Sequence, residues 1–413
     1  MEGTFRYKVN RIIAENQFSR YFWRTVFEKI DGALGQMARN RLSRNARTAP
    51  KKVLFITFQG DFTCNPKYIT EELLRRHADI DIVWAASRQA VQTPDAFPEG
   101  VRRVEAYSYA MMCELATAKI IVCNSVEFEK LRVPIRKDQT VIQTWHGSLG
   151  IKRFDREHNS GWVWVKAADY CGKMTRYCLS NSTFEDGVYR DSFWPHAEIL
   201  RYGHARNDLL VQTDSDRAKE TVSRLRNRFH IDEDTKVVLY APTFRDAHDF
   251  TCYDVHPEPL FDALRERFGG KWVMLLRYHP SIREHSVGLM DTPNVIDVSS
   301  YPDMQELMLL SDVALTDYSS WIYDFLLTGR PGFIYATDKE KYNTERGLYF
   351  PLEDTPFPIA VNNTQLCECV RAFDEGLYQQ CTEAFLHDKG CMEDGHASER
   401  AADKILELIG DEQ

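Results

Sequence analysis

From Lys51 onward the chain alternates short, apolar, β-branched runs with helical stretches, and this alternation restricts the fold more than any other feature. "KKVLFITF", "DIDIVWAA", "KIIVCNS" and "QTVIQTW" read as strands, and "PKYITEELLRRH" and "SYAMMCELATA" as helices between them. Strands this apolar cannot face water on either side, which predicts a parallel sheet covered by helices. After the helical "DSDRAKETVSRLRNRFH" the pattern restarts with "KVVLYAPT", "PLFDALRERF", "KWVMLLRYHP", "NVIDVS", "DMQELMLLS", "DVALTDYS", "SWIYDFLLTG" and "PGFIYA". The expectation is an α/β chain of two Rossmann-like domains whose parallel sheets face a central cleft, with ligand beyond the carboxyl ends of the strands. A length of 413 residues suits that division. The expected organisation is a basic amphipathic segment 1–50, an N-terminal domain 51–205, a C-terminal domain 206–375 and bracing helices 376–413, the end from about Thr364 reading as two helices.

Composition removes several classes. Ten cysteines are scattered, and the closest two, Cys367 and Cys369, have the wrong spacing for a zinc knuckle or redox motif. That pattern fits a reducing compartment without a structural metal. No apolar run approaches the roughly 20 residues that span a bilayer, and "MEGTFRYKVNR" lacks a signal core, so a cytoplasmic protein is expected. Charge is uneven: through Lys52 the chain holds twelve Lys and Arg against four acids, a balance of +8, whereas the remainder carries −17 of the net −9. Phe18, Phe22, Val26, Ile30, Leu34 and Met37 fall on one helical face, widened by Trp23 and Phe27, and "ARNRLSRNAR" follows. This reads as an interfacial anchor on anionic lipid, with a helix packed on the body of the protein as the alternative. One basic arm on an acidic body, without a reading module, argues against nucleic acid.

Polar clusters follow four of the strands directly: "WHGS" after "TVIQT", "APTFRD" after "VVLY", "RYHP" after "WVMLL" and "TDYSS" after "DVAL". Core packing explains one such cluster, but not four on the same sheet edges. His146 in "WHGS" alone reads equally as a core ring satisfied by a carbonyl; its place at this edge makes it a candidate functional group. Arg277 and His279 are an i, i+2 pair that shares a face if the strand runs to His279, where Pro280 stops it. Ser319 and Ser320 precede a helix whose first amides favour an anion, and Asp324 lies about a turn further in, positioned for a ligand hydroxyl or a serine. Pro242 and Thr243 open another loop. Together they form a cradle for a pyrophosphate held by cations and amides, with no metal or other cofactor required. Asp303, Asp312 and Asp317 are read as a helix start and strand termini.

The motifs "QTWHGSLGIKR", "YGHARND", "YAPTFRD", "LLRYHP", "DVSSYPDMQELMLLSDVALTDYSSWIYDF" and "GRPGFIY" resemble the CDP-glycerol glycerophosphotransferase family of teichoic acid synthesis, over roughly residues 117–360. The resemblance implies a GT-B architecture that binds CDP-glycerol between its halves. Residue by residue it implies a donor loop of His146, Gly147, Ser148, Leu149, Gly150 and Lys152, an arginine at Arg206, and donor contacts from Pro242, Thr243, Arg277, Tyr278, Ser319, Ser320 and Asp324. His146 and His279 would be catalytic. The chain departs from the family pattern at Ser148, where Thr is common, at Leu149-Gly150, where Pro-Leu is common, and at Ala205, where proline is usual.

The expected reaction is transfer of glycerol phosphate from CDP-glycerol to a hydroxyl of a lipid-linked acceptor of the undecaprenyl type, releasing CMP, at the cytoplasmic face of the membrane. His146 would take the acceptor proton. His279 and Arg277 would neutralise the transferring phosphate and the leaving group, and Arg206 and Lys152 would add positive potential. A GT-B glycosyltransferase using a nucleotide-sugar, and a CDP-ribitol enzyme, are the alternatives; a non-catalytic membrane adaptor is a third class.

Overall fold

The structure, a computed structural model, describes residues 34–126, 133–150, 152–153, 162–243, 253–278, 292–339, 342 and 347–410. Two wholly parallel sheets form its frame. The first has seven strands in the order β3-β2-β1-β4-β5-β6-β7: β1 (Ala49–Ile56), β2 (Asp81–Ala86), β3 (Val101–Glu105), β4 (Ala118–Cys123), β5 (Thr140–Gln143), β6 (Thr175–Ser180) and β7 (Glu198–Arg201). The second has six in the order β10-β9-β8-β11-β12-β13: β8 (Thr235–Tyr240), β9 (Lys271–Leu276), β10 (Val295–Asp297), β11 (Val313–Thr316), β12 (Gly332–Tyr335) and β13 (Ile359–Ala360). Both wind outward from a central strand and then reverse, the doubly wound order. The sheets are GT-B-like in arrangement.

Burial explains the pairing. β5 and β11 are buried at every residue, and β4 at all but Lys119, as a sheet covered on both faces demands. β3, "VRRVE", has no fully buried residue and lies at an edge, where Arg102 donates to Asp81 Oδ1 at 2.7 Å and Glu114 Oε1 at 3.0 Å. Its charges hide it in the sequence, and β6, β7 and the two-residue β13 were not expected either.

In the first sheet the order reverses between β1 and β4, where Ile56 pairs with Cys123; in the second it reverses between β8 and β11, where Tyr240 pairs with Leu315. The chain leaving these strands supplies much of the cleft described below.

The two units are joined firmly. One buried apolar cluster runs from Val53 and Phe55 through Leu209 and Leu210 to Leu239 and Ile405. Lys67, on the helix Cys64–Arg75, reaches Asp303 at 2.6 Å and Glu306 at 2.7 Å, and Thr63 Oγ1 donates to Pro302 O at 3.0 Å. The chain ends in three helices rather than two: Asn363–Arg371, Glu375–Asp388 and Ala397–Gly410. The last returns to the first unit, with Arg76 donating to Glu399 O at 3.2 Å, while Asp208 accepts from Ala397 N and Ser398 N at its start.

Of the N-terminal segment, residues 1–33 lie outside the described part, and with them most of the expected apolar face. A helix spans 34–45. Leu34 and Met37 are exposed, whereas Leu42 packs on the first unit and Ser43 Oγ donates to Pro134 O at 2.7 Å. No helix among the described residues is long and apolar enough to cross a membrane.

Candidate active site

A cleft of about 1090 Å³ opens at both switch points. The first unit lines it with Phe58, Asp61, Ser87, Asn124 and His146; the second with Thr243, Arg277, Ser319, Ser320 and Tyr342.

His146 is exposed to this space and its orientation is set by the backbone. Nδ1 lies 2.6 Å from Asn124 O. A carbonyl can only accept, so Nδ1 carries the proton and the basic lone pair sits on Nε2. Phe58 stacks on the ring at 5.9 Å between centroids, and Trp145 flanks it at 4.3 Å. Asn124 also holds Phe58, whose N–H donates to Asn124 Oδ1 at 2.8 Å. One residue just past β4 thereby registers two walls of the cleft.

The turn that carries His146 is strained. Trp145 has φ +49° and Leu149 φ +37°, a region costly for bulky side chains. Trp145 is held there because its N–H donates to Gln143 Oε1 at 2.9 Å, while Asn65 Nδ2 donates to Thr144 O at 3.0 Å. Gly147 brings the two units close: a Cβ there would stand 3.2 Å from Trp145 Nε1 and 3.9 Å from Ser320 Oγ.

The remaining loop residues divide. Ser148 and Leu149 are buried behind the wall; Ser148 Oγ accepts from Asn181 Nδ2 at 3.0 Å, and Leu149 joins the core. Gly150 packs beside Tyr349: a Cβ there would stand 3.5 Å from the ring. Lys152 lines the cleft and forms an antiparallel bridge with Leu348 of the second unit. Of the residues expected in the donor loop, His146 and Lys152 line the cleft, whereas Ser148 and Leu149 are buried behind it.

Arg206 and Asp324 also have their positions explained by one another. The guanidinium donates through Nε to Asp324 Oδ2 at 3.1 Å, through Nη2 to Gly147 O at 2.8 Å and through Nη1 to Cys64 Sγ at 3.3 Å. Asp324 accepts further from Asn207 and Gln305. Both are almost fully buried at the cleft floor, so the pair fixes the Gly147 loop against the second unit. With its charge matched by Asp324, Arg206 adds less free positive potential than its sequence position implied, and Asp324 is committed to protein donors.

Pro242, Thr243, Arg277, Tyr278, Ser319 and Ser320 all line the cleft. Asp317 Oδ1 shapes this rim by accepting from Thr243 N at 2.8 Å and Tyr318 N at 2.5 Å. Asp303 caps its helix and Asp312 accepts from Val237 N, each as the sequence suggested. β9 ends at Leu276, so Arg277 projects from the loop beyond the strand; it donates to Pro302 O at 3.4 Å, and burial presses its pKa down while Asp303 opposes. A guanidinium that lines the cleft with only a 3.4 Å carbonyl contact can take an anion there. His279 lies outside the described residues. The Ser319-Ser320 turn leads into a helix of five residues, Trp321–Phe325, so hydroxyls and first-turn amides outweigh any macrodipole there.

A buried polar network behind the wall was not expected from the sequence. Glu393, from the C-terminal segment, accepts from Asn181 Nδ2 at 3.0 Å, Asn207 Nδ2 at 2.9 Å and His204 N at 3.1 Å. His204 Nε2 lies 3.0 Å from Glu185. Burial raises Glu393 to about 7, with the His204 charge opposing. For His204 burial pulls downward, but Glu185 wins and the net shift is up.

Two doubly wound domains with a cleft of hydroxyls and guanidinium between their strand ends define a GT-B-type α/β protein. Residues 38–407 match the family described as CDP-Glycerol:Poly(glycerophosphate) glycerophosphotransferase, and the chain belongs to that family. It is 32% identical over 378 residues to the teichoic acid poly(glycerol phosphate) polymerase of Staphylococcus epidermidis, covering 86% of this chain and 50% of that one. The chain thus spans about half the length of that relative. It is 29% identical to the teichoic acid glycerol-phosphate transferase of Staphylococcus aureus, covering 92% of it. Among solved structures, the wall teichoic acid polymerase TagF superposes with a TM-score of 0.78 at 29% identity, over 94% of this chain and 98% of that one.

Proposed function

We propose that the protein transfers glycerol phosphate from CDP-glycerol to a hydroxyl of a lipid-linked acceptor of teichoic acid or a related cell-surface polymer, releasing CMP. The observation that carries this reading is the opposition across one cleft of His146, its tautomer set by Asn124, and the Arg277, Ser319 and Ser320 rim. Family membership, and a TagF structure from crystals soaked with CDPG, support the donor.

In the proposed step the acceptor oxygen attacks the β-phosphorus as His146 Nε2 removes its proton, and the bond from phosphorus to the CMP oxygen breaks. Arg277 and the serine hydroxyls stabilise the non-bridging oxygens. His279 joins Arg277 at the phosphate in the same reading, and Lys152 adds charge at the rim. Residues 1–50 would hold the enzyme at the cytoplasmic membrane surface, where the acceptor resides.

Incubation with CDP-glycerol and a lipid acceptor should release CMP in step with product. Release of a nucleotide from UDP- or CMP-sugars, with CDP-glycerol inert, would support the glycosyltransferase alternative. CDP-ribitol in the same assay separates the two polyols.

A further inference from the structure

The first unit's wall carries a carboxylate that the transfer scheme does not use. Asp61 lines the cleft, half-buried, at the end of the loop that leaves β1. This loop is fixed at several points. Thr57 Oγ1 donates to Asp61 O at 2.9 Å, Ser87 N donates to Gly60 O at 3.0 Å, and Phe58 is held by Asn124. Gly60, at φ +76°, presses so closely on the chain leaving β2 that a Cβ would stand 2.5 Å from Ser87 N. Asp61 is therefore presented by a rigid turn registered to His146 through the Phe58 ring and Asn124.

Its partners are selective. Ser87 Oγ accepts from Ala90 N at 3.1 Å as the cap of a short helix, which leaves its proton free to be donated toward the neighbouring Asp61 carboxylate or into the cleft. Burial pushes the Asp61 carboxyl above its usual value, the nearby Ser87 hydroxyl acting against this. Among the described residues no ion pair reaches Asp61. An ionised carboxylate only accepts, and it repels phosphate; what it can bind from the cleft is a hydroxyl donor.

In-line transfer says which hydroxyl. With the donor phosphate at the Arg277 and Ser320 rim, the attacking oxygen approaches from the opposite wall, and the carbon chain bearing it continues along that wall. We propose that Asp61, with Ser87 and the adjoining Gln89, forms the subsite that grips a second hydroxyl of the acceptor's terminal polyol or sugar beside the attacking one. The inference rests on the transfer reading above and names the acceptor end it selects: uncharged and polyhydroxylated at its tip, with any phosphate set further back.

The test uses the full chain with CDP-glycerol and a short-chain soluble lipid ending in glycerol phosphate. Asp61→Ala and Asp61→Asn should raise the acceptor KM about tenfold or more, the size of a lost charged hydrogen bond. The KM for CDP-glycerol and the thermal midpoint should stay at wild-type values. Removing only the second hydroxyl, with a lipid ending in 1,3-propanediol phosphate, which keeps the attacking hydroxyl, should weaken wild type by the same factor and leave Asp61→Ala indifferent. An unchanged acceptor KM in Asp61→Ala, or equal loss for donor and acceptor, would overturn the subsite. Calorimetric binding of the same soluble lipid to wild type and Asp61→Ala keeps the test independent of the donor. If the wild type ignores CDP-glycerol yet loses acceptor binding on mutation, the donor reading fails while the subsite stands.

Discussion

Asn124 O and His146 Nδ1 lie 2.6 Å apart, which fixes both the tautomer and the orientation of the ring facing the cleft. His146→Ala should lower turnover about 10²- to 10⁴-fold with donor affinity nearly intact. Single-turnover rates and calorimetry on the same preparation read the two quantities. Near-normal turnover would return His146 to a packing role.

The Arg206–Asp324 pair makes a second, separable prediction. Asp324→Ala strands a buried guanidinium and should cost about 3–5 kcal/mol. The double change Arg206→Met with Asp324→Leu should recover much of that stability, because apolar residues of similar size replace a buried pair well. It should not recover activity, since Gly147 O loses its donor. Denaturation curves and turnover, measured on wild type and both variants, would contradict this account if stability and activity returned together.

These two sites show what was legible in the sequence. The strand-end clusters stood out because polar groups interrupt apolar runs abruptly, as at Trp145-His146 and Asp317-Tyr318. Asn124, Asn65 and Glu393 gave no such signal, for their effect depends on long-range contacts: Glu393 meets Asn181 from 212 residues away. The burial of Ser148 and Leu149 was not legible for the converse reason, since a motif places residues in a loop without saying which face they present. Edge strand β3 was hidden by the charges that protect its edge.

Glu393 and His204 predict a pH trend. Both have folded-state values raised above their ordinary ones, Glu393 to about 7. A raised group contributes stability that is complete below its unfolded pKa and is lost as pH rises through the folded one. For Glu393 that window runs from about 4.5 to about 7, and for His204 it opens at about 6.5 and extends upward. The thermal midpoint should carry a downward component across pH 5–8, and Glu393→Gln should flatten it. An unchanged slope in that variant would remove Glu393 as the source.

Lys67 joins the units through Asp303 and Glu306. Burial would raise Glu306, but Lys67, Tyr301 and Arg224 bring it down to about 2. Its stabilising contribution is therefore present above pH 4.5 and is lost as pH falls toward 2. Lys67→Met should leave two buried carboxylates facing each other and shift acid unfolding to higher pH, as followed by circular dichroism. An acid transition identical to wild type would show that the pair does not link the units.

The helix over 34–45 docks through Leu42 and Ser43 while Leu34 and Met37 remain exposed. Removing residues 1–33 should therefore spare folding and CDP-glycerol binding yet abolish sedimentation with anionic vesicles, and high salt should weaken binding of the full chain. Vesicle binding that survives the truncation would place the membrane contact elsewhere.

The central claim is tested most directly by mass spectrometry of the lipid product after reaction with CDP-glycerol labelled in its glycerol phosphate. The account predicts an acceptor heavier by whole glycerol phosphate units that carry the label, with one CMP released per unit added. Product gaining a sugar from a nucleotide-sugar, or CMP release without any labelled lipid, would contradict it.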